Sequence, residues 1–115
     1  MQVHTYQLSR VHKVKDRGVP YMDTSIKSGD WMLAPTWELL SAYKYHGLSD
    51  EDYAIEYNKL LESRLLEYPE YFRDLFNIEL LAVGCYCPPG KFCHRHLLVQ
   101  FLIKHTEAIY RGEIK

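Results

Sequence analysis

The sequence predicts a small α/β domain: a parallel or mixed sheet with flanking helices and a ligand site at the C-terminal ends of its strands. Three observations carry this reading. Leu80-Leu81-Ala82-Val83-Gly84-Cys85 is a near-continuous apolar run of strand length, the mark of a strand buried on both faces. Val3 to Leu8 carries β-branched and aromatic residues in a short extended pattern far upstream. Segments of helical spacing fill the interval and follow the apolar run, the order expected of an α/β layer packing. The chain has 115 residues with no linker-like stretch or internal repeat, so residues 1–115 are read as one domain.

Taken in order, the first strand spans Val3 to Leu8. A basic stretch with Arg10, His12, Lys13, Lys15 and Arg17 follows and ends in the turn signal Asp16-Arg17-Gly18. Such a run is usually a solvated surface. Val19 to Met22 reads as a second short strand, and Pro20 places it at a sheet edge or at its own first residue. Asp23 to Asp30 is a loop rich in hydroxyls. Pro35 suits the first turn of a helix through Trp37, Leu40 and Tyr43, with Gly47 as its stop. Ser49 and Asp52 resemble a capping box opening an amphipathic helix along Tyr53, Tyr57, Leu60, Leu61 and Leu65. Pro69 interrupts it, and a short helix through Tyr71, Phe72, Leu75 and Phe76 comes next. The last helix begins near Cys93 or His94 and is read through Leu97, Leu98, Phe101, Leu102 and Ala108.

Composition narrows the function classes. Fourteen Lys and Arg stand against fifteen Asp and Glu, a net charge of −1, which disfavours duplex nucleic acid as a partner. No stretch approaches the roughly 18 apolar residues of a membrane span, and the first residues lack the pattern of a secretory signal. Three cysteines crowded between Cys85 and Cys93 are odd in number and do not form a disulfide framework. A reduced, cytoplasmic protein is expected. Ten tyrosines suit pocket walls, interfaces or core edges alike, so the tyrosine-rich helix is open as a homodimer face.

The chemistry concentrates in Cys85 to His96, where the buried strand runs through Pro-Pro-Gly into a helix. Strand ends and helix N-termini collect ligands and anions, and a thiol there is activated. The leading reading is a phosphorylated small ligand held by Cys93, His94, Arg95 and the helix N-terminus. A second is a catalytic thiolate at Cys93 or Cys87, served by His94 or His96. A third is a zinc site from Cys85, Cys87, Cys93 and one histidine. In the blandest, the cysteines are small apolar core residues and His94 a satisfied core histidine.

These residues also carry a resemblance. LLAVGCYCPPGKFCHRHLL resembles the Cys-His-Arg signature of the YeaO-like family, domain of unknown function 488. DTSIKSGDWMLAPTWELLSAYKYHGLSDEDYAIEYNKLL is similar to its middle section, especially in small members found in phage genomes. The likeness covers Tyr21 to Leu102. It implies a compact α/β fold and a pocket that joins both motifs: Asp23, Thr24, Ser25, Lys27, Ser28, Pro35, Thr36 and Trp37 with Cys87, Cys93, His94 and Arg95. Many family members have an acidic residue where Cys87 stands, which weakens a transferred catalytic role and favours zinc or redox chemistry. The resemblance supplies no activity. The function expected is binding, with or without processing, of a nucleotide-like phosphorylated small molecule, with a host nucleotide signal as the target if the source is a phage. No cofactor is required by this reading, with zinc open. The alternatives are a thiol-dependent hydrolase or transferase using Cys93 and His94, and a zinc-stabilised structural module.

Overall fold

The buried run does form a strand, and it sits where its apolarity requires, inside a sheet. The structure, a computed structural model, describes residues 1–87 and 91–115. The Pro-Pro-Gly loop expected at 88–90 lies outside them. Strand β1 is Gln2–Gln7, β2 is Tyr21–Asp23, β3 is Leu80–Cys85 and β4 is Ile109–Ile114. They form one parallel sheet in the order β2-β3-β1-β4. Helix α1 is Val11–Asp16, after one 3-10 turn at Leu8–Arg10; α2 is Trp37–Tyr45, α3 Asp50–Glu67, α4 Pro69–Phe76 and α5 His94–Thr106.

Alternation along the strands explains why both faces are covered. Val3, Leu81 and Val83 join a core with Tyr57, Leu61, Phe72, Leu98 and Phe101 from α3, α4 and α5. Tyr6 and Ala82 point the other way and pack with Val14 of α1, Val19 and Ile114. Gly84 opposes Tyr6 in the β1–β3 register, and a Cβ on Gly84 would overlap the Tyr6 ring. The glycine therefore lets an aromatic ring lie flat across β3.

Helix starts follow their capping chemistry. Ser49 accepts from the Asp52 amide at 3.1 Å to open α3, and Pro69 occupies the first turn of α4. Pro35, placed in the first turn of α2 from sequence, instead precedes the cap. Thr36 is the N-cap, its hydroxyl accepting from the Leu39 amide at 3.1 Å.

Two readings gain detail and a third is corrected. The basic stretch is exposed surface, as expected, and it is helical, folding into the 3-10 turn and α1 with only Val14 buried. The last helix does not reach Ala108. It stops at Thr106, with Glu107 in the left-handed region at φ 58°, and the chain enters β4, a strand missing from the sequence reading. Of the α3 tyrosines, Tyr53 and Tyr57 are buried in the core. No helix among the described residues is long and apolar enough to cross a membrane.

Candidate functional site

At the C-terminal ends of β2 and β3 two chain segments are drawn together. Thr24 prolongs the β2–β3 pairing, its amide and its hydroxyl both donating to the Gly84 carbonyl at 2.9 Å. With the hydroxyl hydrogen committed there, Thr24 Oγ1 accepts from His94 Nε2 at 3.1 Å, and the Thr24 carbonyl accepts from the same nitrogen at 2.9 Å. This network assigns the proton to Nε2 and leaves Nδ1 as an acceptor, 3.8 Å from Cys93 Sγ. Burial depresses the His94 pKa, so the ring is neutral.

The loop after β2 is a hydrogen-bonded turn. Asp23 Oδ1 accepts from the Ser25 amide at 2.9 Å and the Ser25 hydroxyl at 2.7 Å, and Oδ2 accepts from Ser28 at 2.5 Å. Ser28 in turn accepts from the Tyr86 hydroxyl at 2.9 Å. Farther along, Arg64 of α3 donates to the carbonyls of Met32 at 2.9 Å and Ala34 at 2.6 Å, and Tyr57 donates to Leu33 at 2.5 Å. Tyr71 holds Asp30 at 2.6 Å. The segment from Thr24 to Thr36 is thereby fixed against α3 and α4.

Between this loop, α2 and the end of β3 lies a cleft of about 580 Å³. Lys27 and Lys44 supply its cations. Pro35, Trp37, Leu40 and Tyr45 line it from the α2 side, and Ser25, Cys85, Tyr86, Cys87 and His94 complete the lining. Trp37 and Tyr86 are each 58% exposed, large aromatic faces left open at the cleft.

At its floor Cys85 meets Cys93. Cys85 Sγ and Cys93 Sγ are 2.6 Å apart. Arg95, fully buried, donates through Nη1 to Cys85 Sγ at 3.0 Å and to the Cys87 carbonyl at 2.6 Å. Its Nε and Nη2 donate to Glu113 of β4 at 3.3 and 2.9 Å. Hydrogen bonding from the Cys85 and Cys93 thiols, helped by Arg95 and Lys44 and opposed by burial, pulls Cys87 down to about 3. Interaction with Cys85, then with Cys87, together with burial, pushes Cys93 well up. Cys85 Sγ, Cys93 Sγ and a His94 ring nitrogen lie within 4.8 Å of one another and could hold a metal ion; two thiols and an imidazole are donors for a soft or borderline cation.

Of the residues expected in the pocket, Ser25, Lys27, Pro35, Trp37, Cys87 and His94 line the cleft. The others serve behind it: Asp23 and Ser28 shape the loop, Thr24 orients His94, and Thr36 caps α2. Arg95 is spent on Cys85, Cys87 and Glu113, and Cys93 is 4% exposed. Lys44 and Tyr45 escaped the sequence reading, although they follow Trp37 by seven and eight residues, the spacing of one helix face. Glu113 had no local signal, because its partner lies on a different element.

Fold and site together define a parallel α/β protein with a cysteine-floored, lysine-edged cleft at its strand ends. A model of the DUF488-N3a family, described as the active DUF488-N3 subclade, matches residues 7–106. The chain belongs to this DUF488 family. Comparisons with curated proteins and with solved structures give no significant match.

Proposed function

We propose that the chain binds a nucleotide-like phosphorylated small molecule in this cleft. The observation that carries the reading is the joining of two lysines and two open aromatic faces in one cavity of about 580 Å³. Lysines take phosphate as point charges, and Trp37 and Tyr86 offer stacking surfaces for a planar base. The volume lies in the small-molecule range of about 300–1,000 Å³, and the position outside the carboxyl ends of parallel strands is where such sheets gather ligands. Three free thiols suit a reducing cytoplasm; a phage protein capturing a host nucleotide signal would be one setting. Calorimetry against nucleoside phosphates, cyclic nucleotides and ADP-ribose derivatives tests it. A ligand with Kd below millimolar is expected, and no heat from any of them contradicts the proposal.

The cysteine cluster supports two further readings. The 3.8 Å approach of Cys93 Sγ to His94 Nδ1 is the pairing a thiol-dependent hydrolase or transferase would use. The Cys85, Cys93 and His94 donor set supports zinc, with the Thr24 carbonyl fixing the imidazole as an outer partner does. Native mass spectrometry separates them. A zinc-sized increment favours the metal, and a bare polypeptide mass removes it.

A further inference from the structure

Cys85 and Cys93 come from different elements, the end of β3 and the cap of α5, yet their sulfurs are in contact at 2.6 Å. Both are at most 4% exposed, although Cys85 borders the cleft. Cys87, which lines the cleft and is half-buried, is the one thiol of the three that a small molecule reaches first. Arg95 ties this arrangement together by bonding Cys85 Sγ and the Cys87 carbonyl with one nitrogen. The more accessible cysteine therefore lies two residues beyond Cys85, its backbone tied through Arg95 to the buried Cys85 sulfur, which already touches that of Cys93.

We propose that Cys87 is an oxidant-reactive site and that its oxidation by a small hydroperoxide ends as a Cys85–Cys93 disulfide. In the first step the Cys87 sulfur attacks a peroxide oxygen. The S–O bond forms, the O–O bond breaks, and the leaving oxygen takes a proton to give water or an alcohol, leaving a sulfenic acid. The Cys93 thiol then attacks the Cys87 sulfur, expelling water and forming a mixed disulfide. Cys85 attacks the Cys93 sulfur and releases Cys87 as thiolate, as in ordinary thiol–disulfide exchange. Two thiols are oxidised and one peroxide is reduced. Cys87 returns unchanged, so the exposed residue acts as the entry point and the buried pair stores the oxidation.

The experiment uses the full chain, reduced and stripped of metal by chelator, with hydrogen peroxide as probe. Cleavage after Lys91 separates Cys93 from Cys85 and Cys87, so non-reducing peptide mass mapping reads the link, and fragmentation within the crosslinked peptide assigns it. Expected are loss of two hydrogens and a Cys85–Cys93 link. Cys87→Ser is expected to slow oxidation at least tenfold, and Cys93→Ser to leave Cys87 as a sulfenic acid that dimedone traps. Oxidation of Cys87→Ser at the wild-type rate, first dimedone capture on Cys85 or Cys93, or a stable Cys87–Cys93 end product each overturns the proposal. So do three thiols that stay free while glutathione in the same tube oxidises. Dimedone capture on the wild-type chain decides the matter if either variant fails to fold. Ligand binding is measured separately on the reduced protein, so neither result depends on the other.

Discussion

His94 illustrates how a single side chain is set by its neighbours. Its residue type and place beside Cys93 are visible in the sequence, but its role comes from Thr24, seventy residues earlier, which fixes the Nε2 proton. Because burial depresses the folded-state pKa, the unfolded chain takes up a proton near the ordinary value of about 6.5 while the folded chain does not. The unfolded state binds more protons there, so stability is full above that value and falls as pH drops below it. Urea melts from pH 7 to 5 are expected to show a steeper loss for the wild type than for His94→Gln. Cys87 gives a reactivity test. With its thiol held near 3, its alkylation by iodoacetamide is expected to be nearly flat between about pH 5 and 8, where an ordinary thiol gains about tenfold per unit. Peptide-resolved mass spectrometry reads this, and a tenfold rise per unit at Cys87 would contradict the depressed Cys87 thiol. Tyr6 is the converse case: its buried hydroxyl has no partner among the described residues. Tyr6→Phe is expected to leave the melting temperature unchanged or raise it, a gain of up to about 1 kcal/mol.

At the scale of elements, legibility followed the strength of local signals. The β3 run, the Ser49 cap and Pro69 were plain because burial and backbone chemistry act within a few residues. β4 was hidden for a physical reason. It is an edge strand with Ile109, Tyr110 and Arg111 exposed, so it carries no apolar period, and Gly112 at φ 99° with the register shift against β1 breaks its regularity. α1 buries one residue and leaves no amphipathic stripe to read. The loop that shapes the cleft is held by Arg64, which nothing local marked as more than a helix surface charge. Arg64→Ala removes two bonds to buried carbonyls and is expected to cost about 3 kcal/mol in chemical denaturation, more than the roughly 1 kcal/mol expected of the α2 cap change Thr36→Ala. Gly84→Ala forces a methyl into the Tyr6 ring. A loss of about 3 kcal/mol is expected, and an unchanged melting curve would contradict the packing described.

Across the whole molecule the parallel order β2-β3-β1-β4 explains why the site lies where it does. β2 and β3 end side by side, the segment after β2 is held by α3 and α4 before it enters α2, and α5 starts beside both. The sequence located these parts by residue type, yet their division of labour needed the tertiary structure: Arg95 reads as a phosphate binder until β4 brings Glu113 to it, and Lys44 goes unmarked until α2 sets it in one cleft with Lys27. The central claim is that this cleft recognises phosphate and base together. The most direct measurement is calorimetric titration of the reduced protein with the nucleotide panel, repeated on a Lys27→Ala, Lys44→Ala double variant and on Trp37→Ala. One nucleotide class is expected to bind with Kd below millimolar, weakened at least tenfold in each variant, a change of about 1.4 kcal/mol. Binding that survives unaltered in all of them, or no binding by the wild type, would contradict it.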